Sequence, residues 1–218
     1  MRQLFAAGAD YAPVRATGRG SCPRRSLALA LVLLGALQFG HGAWIQAKAW
    51  AAQALIAQAW SRTLMGETGV RPWPWADTWP VARLWVPALG VERYVLAGAH
   101  GSALAFGPGH LDGTPVPGDT GNSVVGGHRD THLAFLQYLK AGDLIEIQRA
   151  DGRRVAYRVV EGVVLDKRDV WVAKQAGPTR LTLVTCFPFD ALRAGGPQRY
   201  VVFAFELENR GGERGMRG

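Results

Sequence analysis

The chain has 218 residues, 48% of them hydrophobic and 19% charged, which is enough for one ordinary folded domain plus an extra segment and excludes a disordered chain. Its net charge of +8 is mostly arginine, gathered near the two ends at Arg2, Arg15, Arg19, Arg24 and Arg25 and at Arg210, Arg214 and Arg217. No basic stripe interleaved with aromatics lies between them, so nucleic acid is not an expected partner, and two cysteines, Cys22 and Cys186, build no disulfide framework.

Residues 1–25 read as a basic N-terminus and residues 26–45 as a membrane anchor. From Leu27 to Leu37 every residue is apolar or glycine, and a less pure continuation reaches Trp44 and Ile45, close to the ~20 residues that a spanning helix needs. Five arginines and one acid, Asp10, precede this stretch, whereas Lys48 and Arg62 are the only basic residues in the next one. The positive-inside bias therefore leaves the N-terminus in the cytoplasm and the rest of the chain outside, lipid being a partner of the helix. A cleaved signal peptide is the alternative, with Ala47-Lys48-Ala49 resembling a small-x-small cleavage site. The retained anchor is favoured because Trp44 and Trp50 suit an interfacial aromatic belt and the helical pattern continues across that point. Cys22 precedes the apolar core, so it is no lipoprotein acceptor, and it is given no function.

Residues 46–80 form the next segment. Ala43 to Leu64 is alanine-rich and free of glycine and proline, and predicts a helix with one face at Trp50, Ala54, Ala57 and Ser61 and another at Ile45, Ala49, Ala52, Ile56 and Trp60. Apolar nearly all round, it should lie on a membrane or pack on the folded domain. Gly66 and Gly69 end it. Arg71 to Pro80 then holds three prolines and three tryptophans, an extended, rigid path that serves either as a stiff linker or as an aromatic strap over the domain.

From residue 81 to residue 208 short runs of Val, Leu, Ile, Tyr and Phe are punctuated by Gly, Pro and Asp, which predicts an all-β barrel or sandwich. The expected strands are Val81–Val86, Val91–Leu96, Asn122–Gly127, Asp143–Gln148, Arg153–Val164, Arg180–Cys186 and Arg199–Leu207, with Asp151-Gly152 as a hairpin turn. In the fifth of these Val155, Tyr157 and Val159 alternate with Arg154, Ala156 and Arg158, giving one core face and one wet face. Only short helices fit, at Ala97–Ala105, Leu133–Lys140 and Asp169–Lys174. Gly107 to Gly121 is a long Gly/Pro loop leading to a histidine-bearing strand, and residues 209–218 are a glycine- and arginine-rich tail expected to be disordered.

Three residues in this region make chemical sense together. Cys186 ends the run Leu181-Thr182-Leu183-Val184-Thr185-Cys186, Arg199 opens the next strand, and His128 closes an earlier one in Gly126-Gly127-His128-Arg129-Asp130-Thr131-His132. A thiolate attacks a peptide carbonyl, an imidazole moves protons to and from amines, and a guanidinium donates to the oxygen as it becomes an oxyanion. A lone cysteine closing an apolar run is ordinarily a small core hydrophobe, and a structural Cys186 in a non-enzymatic anchored module is the competing reading. A structural cysteine requires neither His128 nor Arg199. A thiol kept without a partner outside the cytoplasm also suits a nucleophile that must stay reduced.

These residues carry a resemblance. The region from Val81 to Leu207, together with the anchor, resembles the sortase family of cysteine transpeptidases, through Gly127-His128, the Thr-Leu-Val-Thr-Cys run and Arg199. Pro72-Trp73-Pro74-Trp75-Ala76-Asp77 and Cys186-Phe187-Pro188-Phe189-Asp190-Ala191-Leu192 look like the Gram-negative, marine proteobacterial class, class GN. The resemblance implies an eight-stranded β-barrel with short helices, preceded by the transmembrane and alanine-rich helices, in an inner membrane with its catalytic domain periplasmic. It implies that Cys186 attacks a C-terminal sorting motif of a secreted protein to form a thioester, that His128 shuttles protons, and that Arg199 holds the oxyanion or the substrate backbone before an amine acceptor takes the acyl group.

Thr185 and Arg193 are expected at the substrate, with Arg193 the competitor of Arg199. Loop residues between Gly107 and Asp119 and between Val163 and Pro178 should set specificity. Arg129 and Asp130 are expected to be a surface pair or a loop brace, and His132 a solvated loop histidine. Neither metal nor cofactor is expected: His128, Asp130 and His132 are too few for a zinc site, and Asp112, Asp119 and Glu161 are scattered. A thiol hydrolase on the same barrel remains open, whereas no papain- or caspase-type signature surrounds Cys186.

Overall fold

A computed structural model describes residues 23–207 except 192 and 194. The basic N-terminus through Cys22, Leu192 and the tail from residue 208 lie outside the described residues. The chain divides into two compact units, Met1–Gln46 and Ala47–Gly218.

The expected anchor and the alanine-rich helix are a single helix, α1 (Pro23–Leu64), with no break at the proposed cleavage point. Neither proline nor a capping residue interrupts it, and the glycines at 35, 40 and 42 cost propensity without stopping it. In the first unit Leu27, Leu29, Leu33, Leu37 and Phe39 are all exposed. This helix is long and apolar enough to cross a membrane. In the second unit α1 changes character. Ala52, Ile56, Ala59, Trp60 and Thr63 are buried, a stripe at three- and four-residue spacing that selects the second of the two expected faces and leaves Trp50 exposed. Ile56 packs in a small cluster with Leu96, Ala103, Trp73, Tyr94 and Phe106, and Gln53 Nε2 donates to the Phe106 carbonyl at 2.7 Å.

The Pro/Trp segment is a strap, and it turns where an extended path was expected: the Ala76 amide donates to the Trp73 carbonyl at 3.0 Å. Trp73 meets Phe106 edge-on with centroids 4.8 Å apart, and Thr78 Oγ1 donates to the Ala97 carbonyl at 2.7 Å.

Eight strands among the described residues close into a barrel. They are β1 (Pro80–Val86), β2 (Val91–Ala97), β3 (Gly109–His110), β4 (Asn122–Gly127), β5 (Leu144–Arg149), β6 (Arg154–Asp166), β7 (Arg180–Phe187) and β8 (Gln198–Glu206). The order around the barrel is β1-β2-β3-β4-β7-β8-β6-β5, with β2–β3 and β4–β7 parallel and the other pairs antiparallel. The interior is filled by alternate residues such as Leu84, Val95, Val125, Ile145, Ile147, Tyr157, Leu181, Leu183 and Val202.

The strand absent from the sequence expectation is β3, inside the Gly/Pro loop. A side chain at Gly109 would put its Cβ 2.2 Å from the Gly98 carbonyl oxygen, so only glycine lets this short strand reach β2. The short helices are shorter than expected. Ala97–Ala105 gives up Ala97 to β2 and becomes α2 (Ala103–Phe106), while the other two are 3-10 turns at Ala134–Tyr138 and Val170–Ala173. The alternation of β6 holds until its pairing with β8 shifts register between Val159 and Glu161, a bulge that leaves Val160 exposed.

Candidate active site

Side-chain alternation aims three strands at one groove. On β7 Leu181 and Leu183 enter the core, so Val184 and Cys186 face the other way. On β8 Val202 and Ala204 enter the core, and Val201 and Arg199 share the outer face. On β4 Val125 is core while Val124 and Gly126 line the groove, and the next residue of that parity is His128.

Register brings the three together. Cys186 pairs with Arg199 across β7 and β8, and Gly127 pairs with Thr185 across parallel β4 and β7, one residue before His128 and Cys186. Cys186 is half-buried and His128 exposed. Among the described residues, the thiol and the imidazole make no hydrogen bond to each other. The Arg199 Nη1 donates to the carbonyls of Gly196 at 3.0 Å and Gln198 at 2.8 Å. Its Nε and Nη2 have no protein acceptor among the described residues, which leaves a pair of donors for a ligand oxygen.

The histidine is held from both sides of its strand end. A Cβ at Gly127 would lie 2.7 Å from Leu133 Cγ, so the glycine allows Leu133 to close over it, and the Leu133 amide donates to the His128 carbonyl at 3.0 Å. Thr185, expected at the substrate, has the parity of the interior face; it is 2% exposed and donates its hydroxyl to the Gly127 carbonyl at 2.7 Å. It stitches β7 to the residue before His128. Arg193 is exposed on the β7–β8 connection.

The groove has a volume of about 250 Å³, with Val124, Gly126, Val184 and Val201 as apolar lining and Asp166, Lys167, Asp169 and Arg199 as its charges. Leu165, Val170, Val172 and Ala173, from the end of β6 and the 3-10 turn after it, also line it. That turn is fastened by side chains that sequence reasoning missed. Buried Asn122 donates through Nδ2 to the carbonyls of Val172 at 2.7 Å and Lys174 at 3.2 Å. Its Oδ1 accepts from Thr182 Oγ1 at 2.7 Å. Gln175 clasps the backbone of Asn122 on both sides, accepting from its amide and donating to its carbonyl at 2.9 Å each. The available signal was a polar residue in each of two strands, Asn122 opening β4 and Thr182 between the apolar Leu181 and Leu183 of β7.

Near His128 the surface-pair expectation for Arg129 gives way to the brace. Arg129 is 7% exposed and donates to main-chain carbonyls of the β7–β8 connection, whereas Asp130 is exposed. His132 is partly buried rather than solvated, and burial pushes its pKa down. Among the described residues no three His, Cys, Asp or Glu side chains gather as a metal site, and Asp119 is paired with Arg149.

A family model described as the Sortase domain matches residues 84–206, more than half of the chain. The chain belongs to the sortase family. It is 29% identical over 119 residues to Sortase D of Bacillus subtilis (strain 168), covering 54% of this chain and 59% of that protein. Among solved structures, Sortase A from Corynebacterium diphtheriae superposes with a TM-score of 0.54 at 27% identity, covering 62% of this chain and 63% of that one. A Clostridium perfringens Sortase D5 transpeptidase does so with a TM-score of 0.51 at 27% identity, covering 59% and 79%. This sortase thus spans about three-fifths of the length of the first relatives it matches. Its barrel and its cross-strand Cys186–Arg199 pair stand on the matched region.

Proposed function

We propose that this sortase is a membrane-anchored cysteine transpeptidase with Cys186 as nucleophile, His128 as proton carrier and Arg199 as oxyanion donor. The observation that carries the reading is the pairing of Cys186 with Arg199 on the groove face, with His128 at the adjacent strand end. In the first half-reaction the Cys186 sulfur bonds to a peptide carbonyl carbon in the groove. The C–N bond then breaks, the departing amine takes a proton from His128, and a thioester remains. In the second, an amine attacks the thioester, His128 takes its proton, and the sulfur leaves as thiolate. The free Nε and Nη2 of Arg199 supply donors where negative charge builds on the carbonyl oxygen.

Exposed Arg193 is the candidate for contact with the peptide flanking the scissile bond. The substrate is a secreted protein carrying its motif near the C-terminus, and the acceptor an amine. We assign the chain to class GN on the Pro72–Asp77 segment and the Cys186–Leu192 run of the sequence, with residues 81–208 as the catalytic domain. The basic N-terminus would be cytoplasmic and the barrel periplasmic, with α1 as a retained inner-membrane anchor.

The test is intact mass of the full chain in detergent, incubated with pooled candidate sorting peptides, with and without triglycine. A thioacyl adduct on Cys186 that triglycine discharges, giving a product heavier by the amine, is the expected result. Discharge only by water would make the protein a thiol hydrolase, and turnover by Cys186→Ala would remove the nucleophile assignment.

A further inference from the structure

Arg129 is a buried cation, and among the described residues no carboxylate lies within ion-pair distance of it. A buried charge without a counter-ion is costly unless its donors are used, and here they are used on one segment. Nη2 donates to the carbonyls of Ala191 at 2.8 Å and Arg193 at 2.5 Å, and Nη1 reaches the Gly195 carbonyl at 3.4 Å. All three belong to the connection between Cys186 on β7 and Arg199 on β8. The next carbonyl along, that of Gly196, accepts from Arg199 Nη1 at 3.0 Å. Neighbouring carbonyls of one segment are therefore gripped by two arginines.

The backbone end of Arg129 is fixed as well. It follows His128 directly in the turn closed by the Leu133 amide on the His128 carbonyl.

We propose that Arg129 is a positioning residue: it ties the β7–β8 connection, and through Gly196 the guanidinium of Arg199, to the turn that carries His128. It thereby sets the three groups around the groove in register. Lysine cannot replace it, because a single ammonium does not span three carbonyls that a planar fork reaches. The proposal rests on the assignment of Cys186, His128 and Arg199 given above.

The test uses the full chain in detergent micelles and two readouts, with Arg129→Ala and Arg129→Lys beside the wild type. The first is amide hydrogen exchange over residues 195–203. The second is the pH profile of iodoacetamide alkylation, read at Cys186 by peptide mass mapping. Arg129→Ala is expected to speed exchange over 195–199 about tenfold, as for a segment released from its tertiary bonds. It is also expected to slow alkylation of Cys186 about threefold across the profile, because the guanidinium of Arg199 loses its placement beside the sulfur. Arg129→Lys should fall between, and it carries both readouts if the alanine variant does not fold.

Unchanged exchange in the variants would overturn the brace. Faster exchange with an unchanged alkylation profile would overturn the positioning role and leave a merely structural arginine. A wild-type profile indifferent to His128→Ala and to Arg199→Ala would instead overturn the catalytic assignment itself, while the exchange data would still report separately on the tie.

Discussion

Cys186, Arg199 and Thr185 sit within two adjacent strands, yet their substitutions should separate chemistry from stability. Cys186 is half-buried beside the groove and its thiol makes no hydrogen bond among the described residues, so Cys186→Ala should keep the thermal transition of the wild type while forming no acyl adduct. Arg199→Lys preserves charge but loses the fork whose Nη1 is anchored on Gly196 and Gln198. Acyl transfer should fall by about a hundredfold, the usual loss on removing one oxyanion donor, with the denaturation midpoint little changed. Thr185→Val is the converse case. The valine has nearly the same shape but leaves the Gly127 carbonyl without the hydroxyl that reaches it at 2.7 Å. Stability measured by denaturant titration should drop by about 1–3 kcal/mol, the cost of an unsatisfied buried group.

The groove wall is an element-scale device, because the 3-10 turn at Val170–Ala173 has too few residues to hold itself. The Asn122 and Gln175 side chains fasten it to β4. Gln175 is exposed at the residue level, so Gln175→Ala should fold normally yet loosen the wall. In steady-state transfer it should raise KM several-fold with kcat little altered, since a wall that grips substrate and transition state alike contributes uniform binding. Little of this clamp was legible in the sequence, because Asn122 reaches partners 50 and 52 positions away and such bonds leave no local period. The strands were legible for the opposite reason. Tyr157 and Val159 against Arg158 show the two-residue alternation that a half-buried strand must have. Two-residue β3 is too short to show any period, and a 3-10 turn leaves no 3.6-residue repeat to read. At the site, motif and strand order pointed to Cys186, Arg199 and His128, whereas the inward face of Thr185 follows from the parity of Leu181 and Leu183, which a motif centred on its neighbour Cys186 does not show.

At the scale of the whole molecule, pH acts through the partly buried His132 in the turn beside His128. Burial is the leading cause holding its pKa below the ordinary 6.5. The Ala105 carbonyl, 3.4 Å from its Nε2, and Asp130 pull the other way, while Arg93 from β2 and His128 add to the depression. A depressed imidazole favours the neutral form in the folded state, so above 6.5 both folded and unfolded chains are neutral at this position and it adds no pH dependence. As pH falls through 6.5 the unfolded chain takes up its proton first, and stability declines until the folded group also titrates. The melting temperature of the full chain should therefore fall on acidification from pH 7 toward pH 5. His132→Gln, which keeps a donor for the Ala105 carbonyl and cannot titrate, should flatten that slope. An equal slope in the variant would assign the acid sensitivity to other groups, among which carboxylates such as Asp77, lowered chiefly by its hydrogen bond from Ser102, act only at still lower pH.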